Sequence, residues 1–154
     1  MEALSAAASV LAIVSLSVQL IQSVALIKEF AQDIKGASKE LARLMAKLEL
    51  LKELLEDVRT MSEQQSLLQD LHFPAPSRVI LRCLQSCQDS IQPLVDIVMK
   101  SITSQAQLSS ATARIRSEVK LGLKSKQIAA LETRIQQDVD ALSASLALNS
   151  NFML

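Results

Sequence analysis

The chain has 154 residues, of which 49% are hydrophobic, and it contains three phenylalanines, no tryptophan or tyrosine, two glycines and three prolines. This length fits one domain, and the scarcity of aromatic and turn residues favours a helical bundle over a β-sheet fold. Sixteen basic and sixteen acidic residues cancel, so we expect no nucleic-acid partner, because such partners require a positively charged surface.

An uncharged stretch begins at Ala3 and ends at Ile27. As a helix it would be about 37 Å long, which exceeds the hydrocarbon core of a bilayer at about 30 Å. Seven serines and glutamines interrupt it, and all of them except Ser17 fall within one arc of a helical wheel. This pattern fits either the central helix of a soluble bundle or a helix in lipid whose polar edge faces copies of itself. We predict a first helix over residues 3–35 that is buried at rest.

The apolar face of this first helix is predicted to contain Leu11, Val14, Val18, Ile21 and Ala25. These residues are candidates for membrane insertion, because an uncharged helix avoids the large cost of placing ions in lipid. The alternative is that they only pack in a protein core. Both interpretations hold if the helix is buried in one state and enters a bilayer in another.

Two further helices are predicted over residues 38–61 and 77–102, separated by a connection that begins at Ser62 and contains Pro74 and Pro76. Prolines lack the backbone donor that a continuous helix needs. Pro93 is expected to kink the third helix. The inward-facing residues recur at steps of three and four, and they are Leu41, Leu44, Leu48, Leu51, Leu55 and Val58, then Ile80, Leu84, Cys87, Ile91, Leu94 and Val98.

A fourth helix is predicted over residues 114–148, after an uncharged loop rich in serine and threonine. Its inward-facing residues are Ile128, Leu131, Ile135, Val139, Leu142 and Leu146. Four long helices that each have one apolar face predict an all-α fold, an antiparallel four-helix bundle with a long apolar N-terminal helix. We expect residues 1–154 to form one domain.

Five basic residues lie near the start of the fourth helix, opposed by one acid, Glu118. They are Arg114, Arg116, Lys120, Lys124 and Lys126. Such a cluster attracts anionic lipid when it lies near a membrane surface. The alternative is an ordinary solvated helix end, because clusters of this size are common on protein surfaces.

Catalytic and cofactor signatures are not found in the sequence. Gly36 and Gly122 are far apart, so no glycine-rich phosphate loop is predicted, and His72 has no pairing with a cysteine that is typical of a nucleophilic site. Cys83 and Cys87 lie four residues apart, which favours reduced thiols in a helix core over a disulfide or a zinc site. We therefore expect no enzyme, no metal and no cofactor. Glu2 replaces the basic start of a secretory signal, which favours synthesis in the cytosol.

The order of these segments resembles the fungal HeLo-like domains, including the N-terminal domains of fungal signal-transducing ATPases of the STAND/NLR-like class. The resemblance rests on residues 1–10, on Leu16, Val18, Leu20 and Ile21, on the Leu-rich second helix, on residues 81–87 and on residues 121–148. It covers nearly the whole chain. Its elements are hydrophobic patterns, with no catalytic motif among them.

The resemblance implies an effector domain of fungal regulated cell death, heterokaryon incompatibility or innate immunity. Domains of this kind are expected to be cytoplasmic at rest, to oligomerise on activation and to permeabilise the plasma membrane through the N-terminal helix. The implied partners are anionic lipid, further copies of the chain, and a sensor or ATPase region outside it. A different class of function is a non-lytic oligomerisation or adaptor module that never contacts lipid.

Overall fold

The computed structural model describes residues 2–32, 39–68, 78–106 and 125–153, with side chains described for 10–32, 39–64, 78–103 and 126–148. These residues contain no strand and form four α-helices, which confirms the predicted all-α class. In chain order the helices are α1 Glu2–Gln32, α2 Lys39–Leu68, α3 Arg78–Ala106 and α4 Ser125–Met153.

Three helices end later than the sequence predicts. Helix α2 continues to Leu68, through the residues Ser62–Gln65 that were predicted to begin a connection, because Met61 and Ser62 are buried in the bundle and glutamate and glutamine favour helix. Helices α3 and α4 extend to Ala106 and Met153. The predicted start of the fourth helix at 114, the two glycines and the paired prolines lie outside the described residues.

The four helices form a closed ring of neighbours. Helix α1 packs against α2 and α3, and α4 packs against the same two helices, while the described residues show no packing between α1 and α4 or between α2 and α3. Helices α2 and α3, which follow each other in the chain, therefore lie on opposite corners of the bundle. Among the described residues, α1 contacts α2 and α3 and does not contact α4, just as each other helix of the ring contacts two of its three companions.

Contacting side chains give the helix directions. In α3 and α4, Cys83 lies beside Ser145 whereas Ser90 lies beside Asp138, so these helices are antiparallel. Helices α1 and α2 are antiparallel as well, because Lys28 pairs with Glu49 while the end of α1 and the start of α2 line one small cleft.

Helices α2 and α4 run in the same direction. Arg43 pairs with Glu132, and Lys47, four residues later, contacts Gln136, four residues after Glu132. Since α3 is antiparallel to α4 and α1 is antiparallel to α2, α1 and α3 are parallel too. Consecutive helices alternate in direction, as predicted, but the diagonal step from α2 to α3 creates two parallel neighbouring pairs.

The core consists of one buried stripe from each helix, with steps of three and four residues. Every predicted inward-facing residue of α2 and α3 is buried, and so are those of α4 except Leu146, which is half-buried. Cys83 and Cys87 are buried and unbridged, as the core-packing interpretation predicts. The stripes therefore follow the seven-residue pattern that places helices side by side at a small angle.

Candidate functional site

Helix α1 contributes a buried stripe that differs from its predicted apolar face. Ile13, Leu20, Val24 and Ile27 are at most 2% exposed, and they pack against the core residues of α2 and α3. Ser17 lies within this stripe and is fully buried. Its hydroxyl donates a hydrogen bond to the Ile13 carbonyl at 2.7 Å, so the core accommodates this serine without a partner from another helix.

The residues predicted to form the apolar face lie beside the buried stripe, toward the outside of the bundle. Leu11 is 68% exposed, Ala25 is exposed, and Val14, Val18 and Ile21 are half-buried. At 100° per residue the five fall within an arc of about 80°. We call these five residues the outer strip. It is an uncharged apolar surface on α1 that the bundle leaves partly uncovered.

Residues Val10–Gln32 are, by length and composition, sufficient to cross a membrane, and 33% of an apolar stretch of 18 residues within them is buried in the bundle. Core helices of soluble proteins meet the same criterion of length and composition, so this finding by itself assigns no location. Among the described helices, α2 and α3 cover α1, and part of its surface stays exposed.

One polar side-chain contact joins the described part of α1 to another helix. Lys28, the first charged residue after the uncharged stretch, pairs with Glu49 of α2. Between Val10 and Ile27, no hydrogen bond or ion pair joins a described side chain to a described residue of another helix. The N-terminal part of α1 is therefore held by burial of apolar surface, whereas its C-terminal end is also held by charge.

The interfaces of α4 with α2 and α3 contain more polar contacts between side chains. Between α2 and α4, Lys47 donates to the Gln136 side-chain oxygen, and Arg43 lies 3.7 Å from Glu132. Between α3 and α4, Cys83 Sγ and Ser145 Oγ are 3.7 Å apart. These contacts leave α1 as the helix with the fewest polar links to its neighbours among the residues that are described.

A buried carboxylate joins α3 to α4. Asp138 is 6% exposed, and its oxygens accept hydrogen bonds from the hydroxyls of Ser86 and Ser90, both at 2.6 Å. The sequence interpretation did not single out this cluster, because it followed the apolar positions of the fourth helix and counted Val139, but not Asp138, among the inward-facing residues. The signal was available, since Asp138 follows Leu131 by seven residues and so occupies the same packing position.

The cluster influences the thiol beside it. Burial raises the pKa of the Cys87 thiol well above its ordinary value of 9.0, and the negative charge of Asp138 and the neighbouring Cys83 raise this pKa further. A thiol becomes a nucleophile or a metal ligand as the thiolate. Cys87 is therefore held in its unreactive form, which agrees with a packing role.

Of the five predicted basic residues and His72, Lys126 alone has a described side chain. Lys126 is exposed at the start of α4, whereas Arg114, Arg116, Lys120 and Lys124 lie outside the described residues, as does His72. Within the described ranges, no group of three histidine, cysteine or acidic side chains is arranged to hold a metal ion.

Comparison with curated proteins gave no match, and comparison with solved structures gave none either. A family model described as the N-terminal region of the pigment biosynthesis cluster protein PigL matches residues 1–137. Because that match spans most of the 154 residues, the chain belongs to the family of PigL N-terminal domains.

Proposed function

We propose that this chain is the membrane-targeting effector domain of a fungal regulated cell-death or innate-immune protein, and that α1 permeabilises the plasma membrane after oligomerisation. In this proposal the domain is cytoplasmic at rest, it is not an enzyme, and a sensor or ATPase region outside the chain activates it. The support comes from the HeLo-like pattern of the sequence and from the outer strip of α1.

The outer strip is the observation that carries the proposal. An exposed apolar surface costs free energy in water, about 25 cal/mol for each Å², and this one lies on a helix whose residues 3–27 contain no charge. Insertion of such a helix into lipid requires no ion to be desolvated. Among the described residues, leaving the bundle requires the loss of apolar contacts and of one ion pair, Lys28 with Glu49.

The basic residues before and at the start of α4 supply the second part of the proposal. Arg114, Arg116, Lys120, Lys124 and Lys126 would draw the domain to anionic lipid, at about 1 kcal/mol for each residue near the surface. Lys126 is exposed. This attraction would concentrate the protein at the membrane before α1 inserts.

Dye release from vesicles tests the proposal. The purified chain, fused at its C-terminus to an inducible dimeriser, is added to phosphatidylserine-containing vesicles. We expect release on induction, and we expect the variant Leu11→Asp/Ala25→Asp to reduce it by at least roughly 100-fold, because each acid inside a bilayer costs about 3 kcal/mol. Both positions are exposed, so the charges leave the core intact.

Leu148→Asp is the matched control, because Leu148 is 63% exposed on α4 and Leu11 is 68% exposed on α1. This control should retain full release, and circular dichroism should show equal helix content in all three proteins. Undiminished release by the Leu11→Asp/Ala25→Asp variant would refute the role of α1. Equal release from vesicles of phosphatidylcholine alone would refute the role of anionic lipid.

The second candidate is a non-lytic oligomerisation or adaptor module, and the same outer strip favours it, because a helix of another protein can also cover an apolar strip. In that case the folded chain would form a defined oligomer in solution and would leave vesicles intact at every concentration. Sedimentation of the wild-type chain and of the Leu11→Asp/Ala25→Asp variant separates the two candidates.

A further inference from the structure

Asp138 is a charged residue at a packing position of α4. Its two oxygens accept one hydrogen bond each, from Ser86 and Ser90 of α3, and none of the ion pairs among the described residues involves it. A carboxylate that is buried without a cation is costly to desolvate, and apolar residues at such positions often give a more stable protein. Stability alone therefore does not account for this cluster.

The apolar stripes of α3 and α4 do not fix how far one helix lies along the other. Both stripes repeat every seven residues, so a slide of one repeat, about 10.5 Å at 1.5 Å per residue, places apolar residues on apolar residues again. Residues 107–124, which join the two helices, number eighteen. A chain of this length spans such a shift easily, because each extended residue reaches about 3.3 Å.

Asp138 meets two hydroxyls in one alignment only. A slide in one direction moves it to the position now held by Ser145, which lies beside Cys83. A slide in the other direction moves it to the position of Leu131, in the apolar core. In either case the carboxylate loses both hydrogen bonds while it stays buried, which disfavours the shifted alignment by at least about 100-fold.

We propose that Asp138, Ser86 and Ser90 form a register lock, a polar cluster around a buried carboxylate that selects one alignment of α3 and α4 from the alternatives that their seven-residue stripes allow. The best-attested use of buried polar groups in helical assemblies is to specify register. The contacts of α2 with α4 add less to this selection, because Arg43 is 63% exposed at its side chain and exposed ion pairs contribute little.

The lock goes beyond the proposed membrane function and does not depend on it. Its consequence is that α3 and α4 keep a fixed alignment, which also sets where Gln136 and Glu132 meet Lys47 and Arg43 of α2. Helix α1 packs on α2 and α3, so the lock defines the surface on which α1 rests.

One variant reports the alignment through the native cysteines. Ser145→Cys places a thiol beside Cys83, because the Ser145 hydroxyl lies 3.7 Å from the Cys83 sulfur. If α4 slides so that residue 145 reaches the position of Asp138, the new thiol faces the turn of α3 that contains Cys87. A glutathione redox buffer brings the disulfides to equilibrium, and tandem mass spectrometry identifies which cysteine is paired.

The lock is removed in the same Ser145→Cys background by Ser86→Ala/Ser90→Ala/Asp138→Leu. With the lock intact we expect Cys83 to be the partner of residue 145 in about 99% of intramolecular disulfides, since the shifted alignment is at least about 100-fold rarer. Without the lock, a slide in one direction brings residue 145 to Cys87, so we expect a disulfide with Cys87 as well. A slide in the other direction takes residue 145 away from Cys83, so we expect the yield of intramolecular disulfide to fall by about half or more.

Asp140→Ala in the Ser145→Cys background is the matched control, because Asp140 is an exposed acid of the same helix. It should pair with Cys83 as the parent does. Should the triple variant fail to melt cooperatively, Asp138→Leu alone is made in the Ser145→Cys background, and the disulfide partner of residue 145 and its yield are measured in the same way. An undiminished yield of the Cys83 disulfide as the sole product, in a folded variant without the lock, would overturn the proposal. So would a parent protein in which residue 145 does not pair with Cys83.

Discussion

Serine occurs at buried positions of the bundle with two different outcomes for its hydroxyl. Ser90 donates to the buried Asp138 carboxylate, whereas the Ser62 hydroxyl has no hydrogen-bond partner among the described residues. A hydrogen bond to a charged group contributes about 1.5–3 kcal/mol, and an unsatisfied buried hydroxyl costs about 1–3 kcal/mol. The same substitution, serine to alanine, should therefore have opposite effects at these two positions.

We predict that Ser90→Ala lowers the free energy of unfolding by about 2 kcal/mol, because a buried carboxylate oxygen loses its donor. Ser62→Ala is predicted to leave this free energy unchanged or to raise it by up to about 1 kcal/mol. Urea titrations followed by circular dichroism measure both. The two serines are 1% and 0% exposed, so each is a control for the loss of a buried hydroxyl, and equal effects would contradict the prediction.

The Cys87 thiol makes stability depend on pH in the alkaline range. Burial, with the charge of Asp138, raises its pKa in the folded protein above the ordinary value of 9.0. The unfolded chain therefore releases this proton first as the pH rises. The stabilisation is fully present below pH 9 and is lost above it, with a slope of about 1.4 kcal/mol for each pH unit.

We predict that Cys87→Ala flattens the alkaline decline in the free energy of unfolding by about 1.4 kcal/mol for each pH unit above 9. The measurement is a series of urea titrations between pH 8 and pH 10.5. Lysine deprotonation affects both proteins equally, so the difference between their slopes isolates Cys87. Parallel slopes would show that the thiol is not protected from ionisation by the fold.

At the scale of single helices, the charge pattern decides what can be predicted from the sequence. In α2 and α3 the solvated side is marked by charged and amide side chains, so the apolar stripe that remains is the packing face, and every predicted residue is buried. Between Ala3 and Ile27 of α1, no charge marks the solvated side. Leu11 and Ile13 look alike in the sequence, yet one is 68% exposed and the other 1%.

Side-chain polarity also misleads at two buried positions, in α2 and in α4. Ser62 and Asp138 are polar, so the sequence interpretation placed Ser62 at the start of a connection and left Asp138 out of the inward-facing residues. Both are buried, because their places in the seven-residue pattern decide their burial. Spacing from Val58 and Leu131 predicts both positions, since residues four and seven further along a helix return to the same face. Four basic residues lie outside the described residues, so their contact with anionic lipid stays a prediction. They are Arg114, Arg116, Lys120 and Lys124.

At the scale of the whole molecule, the seams between helices differ in chemistry. Side chains of α2 and α4 are joined by Lys47 with Gln136 and by Arg43 with Glu132, and those of α3 and α4 by the register lock. Helix α1 has one such link among the described residues, Lys28 with Glu49. Helices α2, α3 and α4 therefore form a connected unit, and α1 is the helix whose separation disrupts the fewest polar contacts.

This difference predicts that α1 opens separately from the other three helices. Native-state hydrogen exchange measures it, because segments that open below the global free energy exchange earlier and as a unit. We expect the amides of residues 13–27 to exchange before those of α3 and α4 in low concentrations of urea. Glu49→Gln should speed exchange in α1 by about two- to fivefold, the value of a partly exposed ion pair, and leave α3 and α4 unchanged.

Glu63→Gln is the matched control for this experiment. It removes an ion pair that lies within α2, between Arg59 and Glu63 at 3.9 Å, so it should leave exchange in α1 as it is in the wild type. A common exchange free energy for all four helices would contradict the prediction, because it would mean that α1 leaves the bundle only when the whole molecule unfolds. A faster α1 in the Glu49→Gln variant alone would identify the charged end of the helix as the point that restrains its release.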